Sequence, residues 1–163
     1  LLTQAHRIAD LFVPEGVIVS TRTRLPHEAR KLFADPKTKK IEMPLAVLIN
    51  GGSASASEIL AGTLKEHSLA TVIGQKSFGK GSVQRVLPLD PYRCALALTV
   101  ATYHLPSGAT PHKNGIAPDV PVELNEEQAR RLVTRTNYTH DDDLANDPQM
   151  QEALKRLRAK LKR

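Results

Sequence analysis

The sequence predicts an α/β fold, and three observations carry that prediction. Leu45-Ala46-Val47-Leu48-Ile49 is an unbroken apolar run between Pro44 and Asn50-Gly51-Gly52, the pattern of a strand covered on both faces. Residues 57–67 follow helical spacing. Leu69-Ala70-Thr71-Val72-Ile73 is a second apolar run, stopped by Gly74. Strand, helix and strand in that order make a βαβ unit. The 163 residues suit about one domain, and 40% apolar content supplies a core. A domain of this size buries roughly 70% of its unfolded surface. Aromatics are only 4% and Trp is absent, so that core is built of Leu, Val, Ile and Ala.

The remaining elements follow in order. Leu2, Ala5, Ile8, Ala9 and Phe12 share one helical face, so residues 2–12 read as an amphipathic helix, ended by Pro14-Glu15-Gly16. Val17-Ile18-Val19 is a short β-branched strand. Residues 22–41 are charged and carry Pro26 and Pro36; they read as an exposed excursion, helical in part around 26–33. Val83–Leu87 and Arg93–Tyr103 read as strands, with Leu89-Asp90-Pro91-Tyr92 as the hairpin turn. Pro106-Ser107-Gly108 and Lys113-Asn114-Gly115 are loops. Residues 124–134 and 148–162 read as helices, started by Asn125 and Asp147-Pro148.

Charge and cysteine usage narrow the function classes. The net charge is +6, much of it in the tail from Lys155 to Arg163. A basic tail can meet phosphate or an anionic membrane. Without aromatic interleaving or a binding motif it reads as a solvated helix face, so no nucleic-acid partner is expected. Cys94 is the only cysteine, which excludes an internal disulfide; its apolar strand setting predicts a buried structural thiol. No apolar run reaches the ~18 residues of a membrane span, and no signal peptide is visible. Residue 1 is Leu and the text opens in mid-helix, so the chain reads as part of a longer protein. Asp141-Asp142-Asp143 lacks the spaced oxygens and glycine of a calcium loop. No metal and no cofactor are expected.

Two segments carry chemistry. In Gly51-Gly52-Ser53-Ala54-Ser55-Ala56-Ser57-Glu58-Ile59 small residues permit a tight turn and close approach, and a serine stands where a helix begins. Unpaired N–H groups and the positive end of the helix dipole then lie beside its hydroxyl, where they can hold the oxyanion of acyl transfer. The same letters, Ser55-Ala56-Ser57-Glu58, form a capping box, so a plain helix start also explains them. Three alternating serines leave the choice of nucleophile open.

In Ser77-Phe78-Gly79-Lys80-Gly81-Ser82-Val83-Gln84 a lysine stands between two glycines. An ordinary lysine, with pKa ~10.4, is no base at neutral pH. Burial lowers that value by several units, into the range of a general base, and flanking glycines permit a buried amine. From Gly74 to Gly81 the segment also approaches the phosphate-loop pattern G-x4-G-K-[ST]. Gly81 replaces the required hydroxyl, and residues 82–88 alternate like a strand where that motif must open a helix.

These two segments together resemble the carboxyl-terminal processing peptidases, or tail-specific proteases. Further stretches of the sequence are similar to that family: Ile8–Phe12 with Gly16–Thr21, Leu98–Tyr103 with Pro106-Ser107-Gly108, Gly115–Val120, and Asp147–Leu154. The resemblance covers nearly the whole chain. It implies a central mixed sheet with flanking helices and a serine endopeptidase with a Ser–Lys dyad. The middle serine, Ser55, is then the nucleophile and Lys80, 25 residues later, the base. Gln84 supports Lys80, and the Ala56 amide is one oxyanion donor. Some members place an aspartate where Glu66 stands here.

The resemblance further implies that residues 1–163 are the C-terminal part of the peptidase core. A glycine-rich turn with the second oxyanion donor, the N-terminal part of the core and a PDZ domain lie outside the chain. It implies protein or peptide substrates with flexible C-terminal tails and a parent exported to the periplasm or the outer side of the cytoplasmic membrane. It leaves open a membrane-associated full-length protein, and no oligomeric state follows from it. Two other classes compete: a Ser-His-Asp hydrolase using His67, His104 or His112, and a non-catalytic binding module or inactive fragment.

Overall fold

In the computed structural model, which describes residues 2–90, 93–134 and 146–162, the βαβ unit organises the site. Strand β3 (Leu45–Ile49) runs parallel to β4 (Ala70–Gly74), with Leu45 opposite Ala70 and Ile49 opposite Gly74, and α2 (Ala56–Glu66) connects them. A short strand, β7 (Val120–Pro121), adds to the other side of β4. Asp119 pins that strand. Its carboxylate accepts from Val72 N at 2.9 Å and pairs with Lys65 at 2.9 Å. Burial works against the Asp119 carboxylate, but the Val72 amide and Lys65 outweigh it and lower its pKa.

The second sheet is antiparallel, in the order β2-β1-β6-β5. It contains β1 (Val17–Thr23), β2 (Arg30–Phe33), β5 (Ser82–Leu89) and β6 (Cys94–His104). Parallel and antiparallel strands are thus both present, with helices packed on them, as a mixed α/β architecture requires. Among the described residues they bond as two separate sheets. The excursion at 22–41 is a correction: it holds a single 3-10 turn (Pro26–Glu28) and then β2, paired to β1. The sequence reads 26–33 as helical in part, but an open β1 edge beside Arg30–Phe33 captures the chain into a ladder.

Helix α1 (Leu2–Asp10) packs against α2. Ala5, Ala9, Val13, Ile18, Val19, Ile59, Leu64 and Tyr103 share one buried cluster. Helix α3 (Glu126–Thr134) starts on Asn125, whose Oδ1 accepts from Gln128 N at 2.9 Å. Helix α4 (Pro148–Leu161) starts on Asp147, which accepts from the amides of Gln149 and Met150, and packs along β3 and β4. Both starts match the capping signals read in the sequence.

Two burial expectations fail. Strand β3 is only partly covered except at Ile49, because it lies at the margin of the order β3-β4-β7; β4, in the centre, is the well-buried strand. Cys94 is exposed. It begins β6 at the far end of the long β5–β6 hairpin, where Leu87, Leu89, Leu96 and Leu98 are exposed too. Residues 91–92 of the hairpin turn and the acidic run 141–143 lie outside the described residues.

Candidate active site

Between β3 and α2 the chain makes a tight loop. Asn50 organises it: its Oδ1 accepts from Gly52 N, its carbonyl accepts from Ser53 N, and its own N–H donates to Ser53 Oγ at 3.1 Å. The Ser53 hydroxyl is therefore committed to the loop. Ser57 is exposed on the first turn of α2. Ser55, half-buried, differs from both. Its backbone sits at φ 57°, ψ −114°, far from the extended conformation of an ordinary N-cap. A non-glycine residue held there costs about 1–3 kcal/mol, so something must hold it.

The holder is Glu58. The capping box is present, but the Ser55 hydroxyl makes no cap hydrogen bond of normal geometry. The strong link is Ser55 N–H donating to Glu58 Oε2 at 2.8 Å. Glu58 has no exposed surface, so its carboxylate needs partners in place of water. Three more come from the segment that carries Lys80: Ser77 Oγ and Gly79 N donate to Oε1 at 2.6 and 2.7 Å, and Lys80 N donates to Oε2 at 2.8 Å. The same segment is tied to the serine loop by Phe78 N, which donates to the Ser53 carbonyl at 3.0 Å. The amides of Ser55 and Lys80 thus share one oxygen atom, which puts the two nitrogens within ~6 Å of each other.

Tyr103, on β6, meets the same place from the opposite sheet. Its buried hydroxyl lies 2.6 Å from the Lys80 carbonyl, 3.1 Å from the Ser55 carbonyl and 3.4 Å from Glu58 Oε2. Burial first, then the Glu58 charge and hydrogen bond, hold this phenol protonated well above the usual range. Glu58, Ser77 and Tyr103 were all missed from the sequence as site residues. Glu58 had a visible signal, the capping box Ser55-Ala56-Ser57-Glu58, in which its carboxylate accepts from the Ser55 amide. Tyr103 had none beyond its place in a strand.

The glycines flanking Lys80 have an intramolecular cause. A Cβ on Gly81 would meet the His112 backbone nitrogen at 2.6 Å, and Gly79, at φ +94°, faces Gly115 N and Pro111 O. The loop 111–115 therefore presses against the lysine segment, and Lys113 N donates to the Gly79 carbonyl at 2.8 Å. These glycines do not bury the lysine: the Lys80 side chain is exposed, because the loop packs on the backbone and leaves the side chain outward. Gln84 is exposed on β5, just past an irregularity between Val83 and Gln84. Ala56, half-buried, opens α2, and among the described residues its N–H has no hydrogen-bond partner.

The phosphate-loop reading finds no geometry, and among the described residues neither a histidine nor a lysine side chain hydrogen-bonds the Ser55 hydroxyl. The segment after Lys80 is strand β5, and the Gly79 and Lys80 amides that a phosphate would need already bind Glu58. Among histidines, His67 Nε2 bonds the Val17 carbonyl at 2.9 Å. Buried His104 uses both nitrogens, on the Gly108 carbonyl and Thr102 Oγ1. His112 Nδ1 is buried without a partner. None of the described histidines bonds Ser55. Glu66 accepts from Ser107 N and Oγ at 2.7 and 2.8 Å and so anchors the 106–108 loop at the far end of α2.

A strained serine opening α2, bonded through its backbone to a lysine loop, can be weighed against known proteins. The model of peptidase family S41 matches residues 1–122. The chain belongs to peptidase family S41. It is 50% identical, over 76% of its length and 28% of the relative's, to a carboxy-terminal-processing protease of Bartonella bacilliformis. It is 33% identical to the carboxy-terminal processing protease CtpA of Bacillus subtilis, over 99% of this chain and 34% of that one. Among solved structures, a photosystem II D1 C-terminal processing protease superposes with TM-score 0.67 at 35% identity, over 76% of this chain and 31% of that one. A putative S41 protease from Bacteroides fragilis, at 17% identity, shares the fold over 98% of this chain and 42% of its own, with TM-score 0.72. The S41 chain described here therefore spans about a third of the length of its curated relatives. Among the described residues, no helix of this S41 chain is long and apolar enough to cross a membrane.

Proposed function

We propose that this chain is the dyad-bearing part of a serine endopeptidase that cleaves proteins near flexible C-terminal tails. One observation carries the reading: Ser55 holds a costly backbone conformation while its amide and that of Lys80 bond the same buried carboxylate oxygen. A serine held in that conformation at a helix start is presented as a nucleophile is.

In the reaction, neutral Lys80 takes the Ser55 proton as Oγ bonds the substrate carbonyl carbon. The Ala56 N–H donates to the resulting oxyanion. The Lys80 ammonium returns the proton to the departing amine, leaving an acyl-enzyme. Water then adds, Lys80 again taking a proton, and the acyl group leaves as a carboxylic acid while Ser55 regains its hydroxyl. Gln84 orients the lysine from β5.

Because Lys80 is exposed here, its amine must be covered before it works well. Substrate, or the part of the relatives' length that this chain does not span, supplies that cover. That part also holds the N-terminal portion of the core, the second oxyanion donor and a PDZ domain, in an exported parent. The test is Lys80→Ala in the full-length protein with fluorescent casein as substrate. Loss of turnover is expected; near-normal turnover removes Lys80 from the mechanism.

A further inference from the structure

We propose that Tyr103 is a positioning residue for the Ser55–Lys80 pair, acting with Glu58 as a two-atom clamp on the backbones of both. The inference rests on the Ser–Lys reading above. Glu58 Oε2 accepts the N–H of Ser55 and the N–H of Lys80, each at 2.8 Å. The Tyr103 hydroxyl faces the carbonyl of Ser55 at 3.1 Å and the carbonyl of Lys80 at 2.6 Å. Every main-chain polar group of both residues therefore meets one of two side-chain oxygens.

The two arms of the clamp come from different parts of the fold. Glu58 lies on α2, in the βαβ unit. Tyr103 lies on β6, in the antiparallel sheet, opposite Thr21 of β1. Its own backbone is gripped as well: Tyr103 N donates to the Gly81 carbonyl at 2.9 Å, and Thr110 Oγ1 donates to the Tyr103 carbonyl at 3.0 Å. The ring thus ties the sheet that continues from Lys80 to the helix that begins at Ser55. A phenol has one proton and here three acceptors. The shortest contact, to Lys80, takes it, while the Ser55 carbonyl shares it at longer range. Burial and the neighbouring Glu58 keep that proton on the phenol well above the usual range.

Removing the hydroxyl while keeping the ring frees the Lys80 carbonyl and lets the Lys80 backbone shift relative to Ser55, whose carbonyl still accepts from the Glu58 and Ile59 amides. Displacements near 1 Å cost about 10²-fold in well-aligned reactions. In the full-length protein, Tyr103→Phe is therefore expected to lower kcat on casein by about 10- to 100-fold with KM little changed. The rate of Ser55 labelling by a fluorophosphonate should fall in parallel. Thr63→Val is the control, because Thr63 also donates a buried hydroxyl to a distant carbonyl, that of Ile18 at 2.7 Å. It should destabilise without changing kcat or labelling. Placing 4-aminophenylalanine at 103, which returns a donor to the same ring, should restore labelling toward the wild-type rate; it also serves if the Phe variant folds poorly. Wild-type kcat and labelling in Tyr103→Phe, with both lost in Lys80→Ala, would overturn the clamp and leave the dyad standing. Failure of the 4-aminophenylalanine protein to recover labelling would also overturn it. Full activity of Lys80→Ala would instead remove the dyad itself, and the clamp with it.

Discussion

Replacing Glu58 by Gln asks how much the buried carboxylate holds. The side chain keeps its shape but exchanges one oxygen for an NH2 group. Five donors point at Glu58: Ser55 N, Lys80 N, Gly79 N and Ser77 Oγ at 2.6–2.8 Å, and the Tyr103 hydroxyl at 3.4 Å. Of the two oxygens, Oε1 is the one that tolerates exchange: Ser77 Oγ, which already accepts from Ile116 N at 2.6 Å, has a second lone pair for the new NH2, although its own proton then loses its acceptor. Gly79 N cannot turn, so it loses its acceptor and faces a donor. An orphaned buried donor costs about 1–3 kcal/mol, and charge-assisted bonds that become neutral lose about 1 kcal/mol more. Glu58→Gln is thus expected to destabilise by about 3 kcal/mol, or roughly 6–12 °C in Tm for a chain of this length. Ser55 N and Lys80 N keep an oxygen acceptor, so partial activity should survive. Equilibrium urea unfolding followed by circular dichroism measures the loss. A change below about 1 kcal/mol, with the fold intact, would refute the view that this carboxylate holds the loop.

Three further outcomes follow from the same contacts. Ser55→Gly relieves the positive-φ strain and should raise Tm by about 2–4 °C for about 1 kcal/mol of relieved strain, while abolishing activity; calorimetry of the variant checks this. Gly81→Ala drives a Cβ into the His112 backbone at 2.6 Å, so Tm and kcat should fall together, and a variant with wild-type Tm would contradict the close packing. The third concerns acid. Burial opposes the Asp10 carboxylate, but Thr38, the Asp35 amide and Lys40 outweigh it and lower its pKa from 3.8 to about 2. A depressed folded pKa gives stability present above about pH 4 and lost as pH falls toward 2; Asp10→Asn should flatten that part of the acid stability curve.

Much of the fold was legible because it is written locally. The apolar runs at 45–49 and 69–73, with a helix between them, form the parallel pair and its crossover. The caps at Asn125 and Asp147 start helices where their side chains predict. The strand after Lys80 disposes of the phosphate-loop reading, as its alternation predicted. Pairing partners were less legible. Local sequence favours a partly helical stretch at 26–33, yet residues 30–33 pair with β1, a choice that depends on which edge is open nearby. Exposure failed similarly at Cys94, whose apolar neighbours lie on a hairpin with no covering layer among the described residues.

The candidate site divides along the same line. From the text alone came the small-residue turn, a serine at a helix mouth, a lysine between glycines and the order in which they occur, because backbone conformational preference belongs to each residue and its near neighbours. Only the tertiary structure brought Glu58 to the Lys80 segment, set Tyr103 over both backbones, pressed residues 111–115 against Gly79 and Gly81, and left Lys80 exposed. Hydrogen bonds to a buried carboxylate act over a few ångströms in space, and the residues that make them are separated by tens of positions along the chain.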